Sequence, residues 1–137
     1  MSLAPDKETT DGFIQAILAE LATRLAELAS TGIEAQIDLR SLPMDPPKRT
    51  ALDAKLGKGD VTATIADRAG RTEVFETRYA GVWRLAHYDM HDTLLMEEIA
   101  IAPVPDILRA DPTDMAEAAA RLGAELALDT KKGHAND

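Results

Sequence analysis

The chain has 137 residues, no cysteine, and 24 acidic against 15 basic residues, for a formal charge of −9 at pH 7. A chain of this length buries roughly 68% of its unfolded surface, enough to fold without a metal or a crosslink. The missing thiols exclude disulfides, thiolate metal sites, iron–sulfur ligation and a cysteine nucleophile, and the negative field repels phosphate backbones, so nucleic acid is not an expected partner.

Residues 1–10 are polar and read as a flexible N-terminus; they lack the basic start and apolar run of a secretory signal. From Phe13, the residues Ile14, Ile17, Leu18, Leu21, Leu25 and Leu28 recur at three- and four-residue steps, which predicts an amphipathic helix. Thr10 or Asp11 is its expected cap and Gly32 its end. IEAQIDLRSLPM then reads as a strand closed by Pro43, with Asp38 and Arg40 placed for a same-face ion pair. A short helix follows in DPPKRTALDAKLGKG, where Asp45 suits the N-cap, Pro46 the first helical position and Gly57 the left-handed exit.

Four extended runs come next: DVTATIAD, RTEVFETRY, VWRLAHYD and LLMEEIAIA. Their connections are too short for crossovers, so they predict an antiparallel meander. In the third run Trp83 and Leu85 share one face, while Arg84 and Tyr88 share the other; in the fourth, Leu95, Ile99 and Ile101 share a face. The alternation is imperfect, since Val82 and Met96 point towards the face expected to be wet. After an irregular PVPDILRADP, a last helix runs through Met115, Ala119, Leu122 and Leu126, and residues 129–137 read as a flexible tail. The expectation is a single α+β domain over 11–128: an antiparallel four- to five-stranded meander sheet with helices packed mainly on one face. No apolar run approaches the roughly 18 residues of a membrane span, so a cytoplasmic protein with no membrane partner is expected.

No motif assembles a nucleophile, a base and an oxyanion donor. Glu97 and Glu98 are adjacent on a strand and face opposite ways, so they are no carboxylate pair. The chain reads as a non-enzyme without a cofactor. HYDMHD brings His87 and His91 close in sequence, the candidates for nickel or zinc, although Asp and His are also ordinary turn residues. Three of the five aromatic residues fall within ETRYAGVWRLAHYD, at 76–89. Trp83 and Phe75 suit core packing. Arg and Tyr favour partner surfaces, and Gly81 leaves room for an approaching backbone. Arg78, Tyr79, Gly81, Trp83, Arg84 and Tyr88 are therefore the expected partner-binding residues.

IDLRSLPM at 37–44, LGKGDVTATI at 56–65, ETRYAGVWRL at 76–85 and IAIAPVPDIL at 99–108 resemble the C-terminal conserved region of the HupH/HyaF hydrogenase expression/formation family. The resemblance covers about 13–108 and leaves out the last helix and both tails. It implies a maturation accessory protein, chaperone-like, for the small, iron–sulfur-carrying subunit precursor of a [NiFe] hydrogenase. Its expected partners are that hydrogenase subunit precursor or other maturation proteins. The alternatives are a non-catalytic structural homodimer, built on the Ala- and Leu-rich first and last helices, and a nickel- or zinc-handling protein.

Overall fold

The computed structural model describes residues 3–135, with side chains described for 9–133. In chain order it contains α1 (Leu3–Thr31), β1 (Ala35–Asp38), a 3-10 turn (Leu39–Ser41), α2 (Pro46–Leu56), β2 (Thr62–Asp67), β3 (Gly70–Glu76), β4 (Val82–Asp89), β5 (Leu94–Ile101), a second 3-10 turn (Asp106–Leu108) and α3 (Pro112–Ala135). All strand pairings are antiparallel, and the five strands lie in the order β1-β5-β4-β3-β2. This is the expected α+β meander. The chain divides into two compact units, Met1–Pro105 and Asp106–Asp137, where the sequence reading ran one domain through 11–128.

Several boundaries follow from local chemistry. Asp45 caps α2 by accepting a hydrogen bond from the Lys48 amide at 3.0 Å, prolines occupy the first turn, and Gly57 closes the helix at φ 61°. Other boundaries move. α1 begins at Leu3, so residues 3–10, read as a flexible end, are helical, and neither Thr10 nor Asp11 is the cap. Helix needs only backbone bonds, and Pro5 in the first turn costs none of them. α3 likewise continues through 129–135, read as tail. β1 stops at Asp38, whose carboxylate accepts from the Arg40 amide at 2.9 Å; the Arg40 guanidinium donates to the Leu94 carbonyl instead of pairing with Asp38.

The core joins Ile14, Ile17 and Leu21 of α1 and Leu52 and Leu56 of α2 to Leu39, Val82, Ile99 and Ile101. Directly opposed residues in an antiparallel pair share a face. Val82 lies opposite Ile101 and Arg84 opposite Ile99, so these four look towards α1 and α2. Trp83 and Leu85, opposite Ala100 and Glu98, line the other face. The expected assignment of Val82 to the wet face is therefore reversed. In β4, Val82, Trp83, Arg84 and Leu85 are all buried, so the strand carries no alternation to read. A bulge at His87/Tyr88 leaves Leu95 unpaired and 57% exposed, removing it from the face of Ile99 and Ile101.

Candidate functional site: a charged groove beside an edge strand

Where α2 ends, the helix-facing side of the sheet opens into a groove of about 570 Å³ bounded by α2, β3, β4 and β5. Register decides what stands in it. Phe75 lies opposite Arg84, Glu73 opposite Ala86 and Arg71 opposite Tyr88, so all these side chains rise from one face. Glu97, opposite Ala86, rises beside them.

A chain of ion pairs forms the floor. Glu97 accepts from Arg49 of α2 and, at 3.2 Å, from Arg84, which also donates to Asp53 of α2. The side chains of Arg84 and Glu97 are 7% and 9% exposed. Charges so far from water persist because each has partners. Two cation–aromatic contacts continue the surface: the Lys58 ammonium sits 5.0 Å from the Phe75 ring centre, and the Arg71 guanidinium 4.4 Å from that of Tyr88. Hydrogen bonds to Glu73, then to Asp92, push the Arg71 pKa above its already high ordinary value, so Arg71 stays cationic at any working pH.

Beyond β3, which lines the groove, the sheet ends in an edge strand. β2 pairs with β3 and ends the sheet. The Glu76 amide donates to the Val61 carbonyl at 2.9 Å, and Val61 is the residue before Thr62, which lies opposite Phe75. Antiparallel bonding alternates, so Ala63 and Ile65 turn their backbone groups to β3, while Thr62, Thr64 and Ala66 turn theirs outwards. Outward groups are a template for another strand.

The six expected partner-binding residues separate into three places. Arg78 and Tyr79 are exposed at the corner after β3, with the guanidinium 5.5 Å from the phenol ring centre. Arg84 and Tyr88 belong to the groove, and Arg84 is buried beneath its surface at 6% exposure. Trp83, 5% exposed, lies on the opposite sheet face and donates its indole N–H to the Ala102 carbonyl at 3.1 Å. Gly81, at the same corner as Arg78 and Tyr79 with φ 88°, turns its bare Cα towards Leu25 and Leu28 of α1: a Cβ there would stand 3.0 Å from Leu25 Cδ1. Its missing side chain makes room for the protein's own helix.

Thr77, quoted within the motif but assigned no role, organises that corner. Its buried hydroxyl donates to the Val82 carbonyl at 2.8 Å and accepts from the Tyr79 amide at 3.1 Å. The Arg78 amide donates to the Leu56 carbonyl at 3.0 Å, tying the corner to the end of α2. Arg49, Asp53 and Lys58 carry no sequence signal of their own, and Glu97 enters the sequence analysis only as half of a rejected carboxylate pair. One signal was available: Glu97 precedes Ile99 and Ile101 at steps of two, so it shares their face and needs a buried cation.

His87 and His91 do not converge. The His87 Nδ1 is 2.7 Å from the Thr72 hydroxyl and its Nε2 is 3.9 Å from Glu98, on the face opposite the groove, whereas His91 is exposed in the following turn. Among the described residues no three or more His, Cys, Asp or Glu side chains group as metal ligands, and no helix is long and apolar enough to cross a membrane.

Comparison with known proteins adds a lineage to this geometry. The profile of the HupH hydrogenase expression protein, C-terminal conserved region, matches residues 14–128, which takes in most of α3 as well as the sheet and so reaches beyond 108, where the resemblance read from sequence stops. The hydrogenase expression/formation protein HoxQ of Azotobacter vinelandii is 30% identical over 84% of this chain and 42% of its own length. HupH of Rhodobacter capsulatus is 30% identical over 82% of this chain and 41% of its own. The chain thus spans about two fifths of the curated relatives it matches. A solved structure, the hydrogenase expression protein HupH from Thiobacillus denitrificans, superposes with a TM-score of 0.80 at 34% identity, covering 85% of this chain and 96% of that one.

Proposed function

Because the chain belongs to the HupH hydrogenase expression protein family, through that family's C-terminal conserved region, we propose that it is a non-catalytic, chaperone-like module of hydrogenase maturation. In this reading it holds an extended segment of a [NiFe]-hydrogenase small-subunit precursor. The observation that carries the reading is the juxtaposition of an edge strand, β2, with an open groove on the same sheet face. A client strand added to β2 gains backbone hydrogen bonds from the outward groups of Thr62, Thr64 and Ala66. Alternate side chains of that strand then fall on the face that holds Phe75, Tyr88 and the ion-pair floor. Ring faces and charges of both signs suit a segment of mixed composition, as a holding protein requires.

Capture of the small-subunit precursor by three purified variants tests this. Thr64→Pro removes an outward N–H that β3 does not use, so the sheet survives while the edge is blocked. Tyr88→Ala strips a ring from the groove, and Tyr79→Ala alters the separate corner. The expectation is loss of capture with Thr64→Pro and Tyr88→Ala but not with Tyr79→Ala. Undiminished capture by a folded Thr64→Pro variant removes the edge from the proposal, and loss confined to Tyr79→Ala moves the site to the corner.

A further inference from the structure

A smaller cavity of about 270 Å³ adjoins the groove, and every residue that lines it belongs to the first compact unit. Leu39, Arg40, Leu42 and Met44, from the segment between β1 and α2, stand there with Arg49 of α2 and Leu94 at the start of β5. Arg49 and Leu94 line the groove as well, so one space opens into the other. Among the described residues the cavity's only charged lining groups are the two arginines.

Both guanidinia are held against β5. Arg40 donates to the Leu94 carbonyl, and Arg49 donates to Glu97 farther along the same strand. Glu97 is shared with Arg84 and does not line the small cavity. Among the described residues no carboxylate pairs with the Arg40 guanidinium, whose other N–H groups are left for a ligand. Two like charges facing one small space repel each other, so an anion placed there is attracted by both and relieves that repulsion. The chain's net charge of −9 repels anions in general, and this cavity reverses that field locally.

We infer that the cavity binds the C-terminal carboxylate of a polypeptide whose last side chain is apolar. Four of the six lining residues, Leu39, Leu42, Met44 and Leu94, are apolar. Inorganic phosphate would press strongly hydrated oxygens against those walls and lose water without replacement. A terminal residue divides its chemistry as the cavity does, with its carboxylate on the guanidinium forks and its side chain on Leu42, Met44 and Leu94. A free amino acid would bring an ammonium beside the arginines. A fatty acid would need an apolar channel where the groove has an ion-pair floor. A polypeptide meets neither obstacle, since its preceding residues run out into the groove past Phe75 and Tyr88. The inference rests on the groove as a polypeptide site, as proposed above, and not on the edge strand β2.

NMR titration of the isotope-labelled full chain with a short acetylated peptide ending in leucine tests this. The free-acid peptide is expected to shift the Leu94 amide and the Arg40 side-chain N–H resonances. Arg40 is exposed, and Arg40→Gln is expected to weaken binding at least about tenfold. The same peptide closed by a C-terminal amide needs no variant, and it is expected to shift neither resonance of the wild type. A free acid that shifts neither resonance overturns the inference. So does equal binding of acid and amide, or binding that Arg40→Gln leaves unchanged. A peptide amide with an internal aspartate, or inorganic phosphate, that binds as tightly as the free acid refutes the assignment to a chain terminus. Thr64→Pro, which blocks the edge, is expected to bind the free acid as the wild type does. Failure of the edge-strand reading and failure of this one are therefore read separately.

Discussion

Replacing Glu97 with alanine isolates the energetics of the groove floor. Glu97 and Arg84 are buried together, their side chains 9% and 7% exposed. Removing one member of a buried ion pair typically costs 3–5 kcal/mol, because the survivor keeps its charge and loses its solvation. Two features pull the value to the lower end. Arg84 retains Asp53, and the second cation, Arg49, has a side chain 36% exposed and can turn to water. The expected loss for Glu97→Ala is therefore about 3 kcal/mol. At about 4–8 °C per kcal/mol for a unit of this size, the melting temperature falls by roughly 15 °C. Urea unfolding, followed through the buried Trp83, measures the change as a shift of midpoint at constant slope. The double replacement Arg84→Met/Glu97→Leu is the control. With both buried charges gone, the partners left behind, Arg49 and Asp53, have side chains 36% and 54% exposed and reach water, so stability is expected within about 1 kcal/mol of the wild type. If Glu97→Ala costs less than about 1 kcal/mol, or if the double variant is worse than the single one, the floor is not a desolvated ion-pair network.

Three further outcomes can be checked by the same unfolding measurement. Leu52→Ala, at a side chain with no exposed surface, is expected to cost about 2–5 kcal/mol through lost transfer energy and the cavity left behind. Asp45→Ala removes the cap from the Lys48 amide and is expected to cost about 1 kcal/mol. Thr77→Val keeps the shape of the corner but deletes the hydroxyl bonded to Val82 and Tyr79; a loss of about 1–2 kcal/mol is expected, with loosened Tyr79 amide protection in hydrogen exchange.

Much of the fold was legible because its signals are local. The core side of α1 is written in three- and four-residue steps, α2 in Asp45, Pro46 and Gly57, and the meander in connections too short to cross over. The ends of α1 and α3 were not, because a polar helix without an apolar stripe looks like a tail, and backbone bonds alone extend it. The candidate site was half legible. ETRYAGVWRLAHYD marks the right part of the chain, but it scatters its residues over a corner, a groove and the far sheet face, since a strand turns successive side chains to opposite sides.

Sequence by itself determined the acidic charge, the absence of thiol chemistry, the order of the elements and the family likeness, all of which are properties of composition and of neighbours along the chain. Only the tertiary structure decided that Val82 faces the helices and Trp83 does not, that Arg84 is held below the surface by Glu97 and Asp53, and that β2 is left at the sheet's edge. Those outcomes depend on register and on which strand meets which across dozens of residues. Free energy at such contacts comes from burial and from partners brought together in space, and no pattern read along the chain contains them.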